Sequence, residues 1–170
     1  YSKMEFAYKQ PKHQDWFDVK AGNVRLNDVD IPGYFSTKEL RVGGLWINDV
    51  LLQNLKNRKI PVEPHIVPMI YEGLQKAPVR FKIDTASVAN FSVVYEELPV
   101  KGDKPGKLYF TDMNGQFSGL TNIVSYPEQF IRLHADGNLM GSGHFTATWQ
   151  LPVDSLYDRF LLDARLDSLD

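Results

Sequence analysis

The sequence contains no cysteine, which excludes a disulfide framework, a thiolate metal site and a cysteine nucleophile. It also lacks a charge imbalance, because 19 basic residues against 21 acidic residues give a net charge of -2. Such a balance offers no electrostatic footprint for a polyanion, so we expect no nucleic-acid partner. No apolar run approaches the roughly 20 residues that a membrane-spanning helix needs.

Residue patterns that support catalysis or metal binding are also missing. The four histidines are scattered along the chain: His13, His65, His134 and His144. None of them has a second ligand at a spacing that would aim both at one ion. Glu96 and Glu97 are adjacent, and successive strand side chains point to opposite faces, so they do not form an acid/base pair. We therefore predict a non-enzymatic protein with no catalytic residue, no metal and no cofactor.

The sequence does contain long stretches in which apolar and polar residues alternate. The clearest is LHADGNLMGSGHFTATWQLP at residues 133–152, and the tail at 160–167 repeats the pattern. Such alternation is typical of antiparallel strands with one covered face. Segments 81–95 and 107–117 read as further strands, the second ending near residues 112–115.

The segment 133–152 also predicts a hairpin, whose loop length is constrained because directly opposed residues must share a face. A two-residue loop at 136–137 would oppose Leu133 to Met140 and mix the faces. A three-residue loop at 136–138 opposes Ala135 to Leu139, with Asn138 in the left-handed position. We predict the three-residue loop.

A faint repeat occurs in the first half of the chain. Its copies are LNDVDI at 26–31, INDVLL at 47–52 and VANFSV at 88–93, with offsets of 21 and 41 residues. Each copy places Asn or Asp between two β-rich runs, which predicts a turn or bulge between strands of a meander. The alternative is chance, since this is a common turn signal.

One segment, EPHIVPMIYEGLQK at 63–76, has helical rather than strand periodicity. Ile66, Met69, Ile70 and Leu74 recur at the spacing of one helix face. Pro68 would remove a backbone donor from a helix interior, so we predict that the helix begins near Pro68.

These patterns predict a mainly β fold: a curved antiparallel sheet, forming an open groove or a partly closed sandwich or barrel, with one short helix. We interpret residues 1–170 as a single β-rich segment of a larger protein. The candidate groove or core residues are Phe81, Ile83, Phe91, Val93, Leu133, Leu139, Phe145, Ala147, Trp149, Phe160 and Leu162. Whether this apolar face lines a trough or fills a sandwich core stays open at this level.

Three runs carry a family resemblance: FKIDTASVANFSVVYEE at 81–97, GKLYFTDMNGQFSGLTNI at 106–123, and the segment 133–152. They resemble AsmA-like bacterial envelope proteins, in which an apolar strand ending in Tyr-Glu is followed by Gly-x-Leu-x-Phe-x-Asp-x-x-Gly. LRVGGLWINDVLL at 40–52 looks like the stretch that precedes this unit. The likeness covers roughly residues 40–170.

The resemblance implies a repeating β-groove, facing the periplasm and anchored in the inner membrane by an N-terminal helix that this sequence lacks. It implies a role in moving phospholipid between membranes or in outer-membrane assembly. The implied partners are phospholipid acyl chains, with membrane contact only through parts outside this segment. The alternative is a β-sandwich interaction or carbohydrate-binding module, whose sign would be an exposed coplanar pair of aromatic rings beside polar side chains.

Overall fold

The structure, a computed structural model, describes residues 2–61, 70–154 and 159–167. Its main feature is one seven-stranded sheet with the strands in chain order, and this sheet does not close on itself. The strands are β1 (Trp16–Val29), β2 (Glu39–Asn57), β3 (Arg80–Leu98), β4 (Gly106–Thr121), β5 (Phe130–Leu139), β6 (Gly143–Pro152) and β7 (Leu161–Asp167). The helices are α1 (Lys3–Lys9), α2 (Ile31–Thr37) and α3 (Ile70–Gln75). The prediction of a mainly β fold is confirmed.

Five of the six strand pairs are antiparallel, but β2 and β3 are parallel. A parallel pair needs a crossover connection that returns from the end of one strand to the start of the next. Residues 58–79 make this connection, and α3 is the helix among its described residues, 58–61 and 70–79. The predicted helix start near Pro68 lies outside the described residues, and the described helix begins at Ile70.

Four strands contain an acidic or Asn residue with positive φ. These residues, here called kinks, are Asp28 (φ 53), Asp49 (φ 58), Asn90 (φ 53) and Asp112 (φ 52). Asn and Asp tolerate this left-handed conformation better than other residues with a side chain. The three repeat copies each contain one of the first three kinks. The copies at 47–52 and 88–93 mark bends within β2 and β3, whereas the copy at 26–31 lies where β1 ends and α2 begins. Asp112 is a fourth kink, and β4 continues through it to Thr121 instead of ending at 112–115.

A kink interrupts the alternation of side chains along a strand. Val88 and Phe91 lie three residues apart across the Asn90 kink, yet both line the same groove. Ile83 has the opposite parity from Val88, with no register shift between them. Ile83 and Phe81 therefore lie on the opposite face of the sheet from Phe91, and the prediction that all three share a face is wrong.

The β5–β6 hairpin turns at residues 140–142, so the predicted loop at 136–138 is wrong. β5 continues to Leu139, which pairs with Gly143, and Ala135 pairs with Ala147 instead of Leu139. Met140 has a φ of 54 and Gly141 a φ of 92, so the left-handed residues of the turn lie here. Both loops have three residues and differ by an even shift, so the side chains on the apolar face are the same in either register.

The largest buried apolar side chains lie near the strand ends rather than in one central core. Leu55 and Leu98 pack with Ala7 of α1 at one end. Ile131 and Val153 are each 1% exposed at the other end, where Gln75 of α3 donates a hydrogen bond to the Val153 carbonyl oxygen at 3.0 Å. Among the described residues, no second layer covers the middle of the sheet.

Candidate functional site: an open apolar groove

An open groove of about 550 Å³ lies on one face of β3 to β7. We call this side of the sheet the groove face and the other side the back face. The groove is lined by apolar side chains and Gly115, with Asn114 and Arg165 as the only polar lining residues among those described. The apolar lining residues are Val88, Phe91, Val93, Phe110, Met113, Phe117, Leu133, Ala135, Leu139, Phe145, Ala147, Trp149, Leu162, Ala164 and Leu166. Its volume falls within the roughly 300–1,000 Å³ of typical ligand pockets.

In β3 and β4, residues on both sides of the kink line the groove. On β4, Phe110 precedes the kink at Asp112 and Met113 follows it, and both line the groove. Irregular positions of this kind bend a strand and increase its twist. The kinks of β3 and β4 therefore bend the first two of the five strands that line the groove.

Eight of the eleven candidate residues from the sequence line the groove. They are Phe91, Val93, Leu133, Leu139, Phe145, Ala147, Trp149 and Leu162. Phe81 and Ile83 lie on the back face, as described above. Phe160 precedes β7, is 46% exposed and does not line the groove.

Sequence reasoning missed the apolar face of β1 and β2. Val19 pairs with Leu52, which pairs with the groove residue Val93, and paired residues share a face. Val24 is likewise linked to the groove face through its pairing with Ile47. Val19 is 63% exposed and Val24 is 56% exposed, so the apolar face continues beyond the groove to the first strand. The sequence signal for these residues is a change of phase in the alternation near Gly22, which lies against the Asp49 kink of β2.

The described part of the chain leaves the groove unfilled. Leu162 and Leu166 of β7 are 50% and 45% exposed although they contribute to its lining. Only Ala147, at 4% exposed, is buried among the lining residues with an apolar side chain. A large contiguous apolar surface that stays exposed is typical of a binding site.

A polar cluster lies beyond the groove, near the end of β3. The Tyr95 hydroxyl donates a hydrogen bond to Glu97 at 2.5 Å, and Arg58 Nε donates to the same carboxylate at 2.9 Å. Burial and the neighbouring carboxylate raise the pKa of Tyr95 to about 12. The hydrogen bonds from Tyr95 and Arg58 lower the pKa of Glu97. Glu96 instead forms an ion pair with Lys3 of α1, so the adjacent carboxylates serve different partners.

The described part of the chain contains no metal site, no membrane-spanning helix and no coplanar aromatic platform. Within residues 2–61, 70–154 and 159–167, no group of three or more His, Cys, Asp or Glu side chains could hold a metal ion. The helices in these ranges are too short or too polar to cross a membrane. The two contacting pairs of aromatic rings there meet edge to face, at 66° and 84°. Neither pair is the coplanar platform expected of a carbohydrate-binding module.

Neither a protein-family model nor a curated protein matches this chain. The resemblance to AsmA-like envelope proteins therefore stays a prediction, supported by the sequence motifs from which it was drawn.

Proposed function

We propose that the groove shields the acyl chains of phospholipids from water and that the chain is a non-enzymatic, periplasmic segment of an AsmA-like envelope protein. The observation that carries this proposal is the unfilled apolar groove across five strands, with a lining that is almost free of polar side chains. A ligand with its own headgroup outside and a hydrocarbon tail inside matches such a lining.

The physical chemistry of the lining favours a hydrocarbon ligand over a polar one. Each methylene transferred from water into an apolar site contributes about 0.8 kcal/mol. A sugar or peptide would leave hydroxyl or amide groups without hydrogen-bond partners on this lining, at a cost of roughly 1–3 kcal/mol for each group. Apolar contacts are also non-directional, so an acyl chain can slide along the groove, as lipid transport requires.

Leu162 and Leu161 on β7 provide a matched pair of variants for the test. Leu162 pairs with Trp149 and lines the groove, whereas Leu161 pairs with Gln150 on the back face. They are 50% and 56% exposed on the last strand of the sheet, so a charge at either position costs little folding stability. Of the two variants, only Leu162→Asp places a carboxylate in the groove.

The experiment is native mass spectrometry of the protein purified from bacterial cells, with the bound molecules identified after extraction. We expect phospholipid on the wild-type chain and on Leu161→Asp, and a several-fold lower lipid occupancy on Leu162→Asp. A wild-type chain that carries no lipid, or equal occupancy in the two variants, would contradict the proposal.

A further inference from the structure

β7 forms one edge of the sheet, and no described strand lies on its outer side. All seven of its residues are exposed. The outer backbone N–H and C=O groups of an edge strand are free to pair with another strand. β7 contains no proline and no residue with positive φ, so neither a missing donor nor a bend blocks this edge.

The side chains of β7 alternate between the two faces of the sheet. Leu162, Ala164 and Leu166 contribute to the groove lining. Asp163 and Arg165 alternate with them, so their side chains lie on the back face. The apolar and the charged side chains of this edge are therefore separated by face.

Residues 162–166, Leu-Asp-Ala-Arg-Leu, are chemically complementary to themselves in the antiparallel direction. In an antiparallel pair of two β7 strands centred on Ala164, Leu162 of each copy opposes Leu166 of the other. Asp163 of each copy opposes Arg165 of the other. Each of these pairs occurs twice, because a twofold axis relates the copies. Opposed aliphatic side chains and opposed unlike charges both stabilise antiparallel strands.

The charges select this register over its alternatives. Opposed residues must share a face, so the three registers that pair at least five residues of β7 are centred on Asp163, Ala164 or Arg165. The first places two carboxylates opposite each other, and the third places two guanidinium groups opposite each other. The register centred on Ala164 opposes unlike charges and is also the one that pairs all seven residues.

The surroundings of these charges leave them available to a second copy. Asp163 has no ion-pair or hydrogen-bond partner among the described residues. Arg165 Nε donates to Asp167 of its own strand at 2.8 Å, which leaves the N–H groups of its two terminal nitrogens for a second carboxylate. Each guanidinium would then lie between two carboxylates, one from each chain. The residues of β6 that flank these charges on the back face carry no carboxylate, ammonium or guanidinium group: His144, Thr146, Thr148 and Gln150.

We propose that two copies of this chain pair edge to edge through β7, antiparallel and centred on Ala164. The two sheets then form one sheet of fourteen strands, seven from each copy. A twofold axis perpendicular to the sheet keeps both groove faces on the same side. Leu162 and Leu166, which are 50% and 45% exposed in the single chain, then join the two grooves into one apolar surface. The pairing depends on β7 and not on what the groove binds.

Charge reversal tests this pairing by sedimentation velocity over a range of protein concentrations. The wild type should form a dimer as its concentration rises. Arg165→Asp opposes two carboxylates and Asp163→Arg opposes two guanidinium groups, so each should raise the dimer dissociation constant about tenfold. An equimolar mixture of the two variants should dimerise again, because an acidic edge then pairs with a basic one. Lys20→Asp is the matched control on β1, the other edge strand, and should keep the wild-type dimer.

A single introduced thiol tests the register, since the chain has no cysteine. Position 164 opposes itself across the twofold axis, so a short bis-maleimide should join two Ala164→Cys chains. Leu161 opposes Asp167 of the second copy. Two Leu161→Cys thiols therefore lie six positions apart along the paired strands, about 20 Å, which the same reagent does not span.

A wild-type chain that stays monomeric at every concentration would overturn the proposal, and so would a mixture of the two charge variants that stays monomeric. An equal loss in Lys20→Asp and Arg165→Asp would also overturn it, because β7 would then pair with β1 of another copy in an open-ended assembly. Equal cross-linking at positions 161 and 164 would contradict the register. None of these measurements depends on lipid in the groove.

Discussion

The side-chain amide of Asn90 donates a hydrogen bond to the Asp49 carboxylate at 2.6 Å, and both residues have positive φ on neighbouring parallel strands. Similar contacts continue across the sheet, because Asn138 donates to the Asp112 carboxylate at 3.1 Å. Polar side chains thus link the bends of β2 and β3 to each other, and the bend of β4 to the neighbouring strand β5. The bends of β3 and β4 lie among the residues that line the groove.

Replacement of Asn90 should reveal the backbone requirement of the kink. Asn90→Ala is expected to lower the free energy of unfolding by about 1–2 kcal/mol, because a left-handed residue with a Cβ is strained. Asn90→Gly loses the same hydrogen bond but relieves the strain, so it should be the more stable variant. Urea denaturation measures both values.

The neighbouring residue Ala89 provides the control for this comparison. Its φ is not positive, so Ala89→Gly should destabilise by roughly 0.5–1 kcal/mol. Glycine is thus expected to be favoured over alanine at position 90 and disfavoured at position 89. Equal stabilities of Asn90→Ala and Asn90→Gly would show that the kink is not a constraint.

Gly44 is expected to be essential for the placement of Trp46. A Cβ at Gly44 would lie 2.1 Å from Cη2 of the Trp46 ring, far inside van der Waals contact. Gly44→Ala should therefore cost roughly 1–3 kcal/mol. The cost should fall in a Trp46→Ala background, and a double-mutant cycle by chemical denaturation measures this coupling.

Gly115 is a suitable comparison because it lies in the groove with more space around it. A Cβ there would lie 3.6 Å from Leu133, an ordinary contact distance. Gly115→Ala should change stability much less than Gly44→Ala. If both substitutions cost the same in either Trp46 background, the ring is not what excludes a side chain at Gly44.

The Tyr95 hydroxyl should titrate at unusually high pH. Burial and the Glu97 carboxylate raise its pKa to about 12, above the ordinary value of about 10. Because the folded state holds this proton more tightly than the unfolded state, stability is lost as the pH rises from about 10 through about 12. The ultraviolet difference between wild type and Tyr95→Phe isolates this one tyrosinate, and Glu97→Gln should move its titration to lower pH.

The Glu97 carboxyl should have the opposite pH dependence. Hydrogen bonds from Tyr95 and Arg58 lower its pKa in the folded state, so its stabilising effect is present above the unfolded value and is lost as the pH falls through the folded value. Thermal unfolding in acid should therefore depend less on pH in Glu97→Gln than in wild type. An identical acid dependence in both proteins would exclude this contribution.

Alternation in the sequence was sufficient to assign faces in β6 and β7, which contain no kink. The apolar faces of β6 and β7 were predicted correctly, and even the wrong hairpin loop preserved them because it differs by an even shift. Phe81 and Ile83 were assigned to the wrong face because the Asn90 kink reverses the alternation. A single residue with positive φ is therefore enough to make a face assignment from two-residue alternation wrong on one side of that residue.

The parallel pairing of β2 and β3 had a signal that the prediction did not use. The second and third repeat copies are 41 residues apart, and this is also the register of the pair, since Ile47 lies beside Val88. In a parallel pair, two kinks that lie side by side are separated in sequence by the same number of residues as every other paired position. Asp49 and Asn90 have this separation. The start of α2 could also have been predicted from the sequence, because Asp30 is a favoured N-cap residue and Pro32 follows it in the first turn.

Trp149 offers the most direct test of whether the groove holds hydrocarbon. It lines the groove, whereas Trp16 packs near α1 and Trp46 lies on the back face. In a Trp16→Phe/Trp46→Phe variant, phospholipid with brominated acyl chains should quench the fluorescence of Trp149 strongly. In the matched Trp16→Phe/Trp149→Phe variant, Trp46 should be quenched little. Equal quenching of the two tryptophans, or none at Trp149, would contradict an acyl chain in the groove.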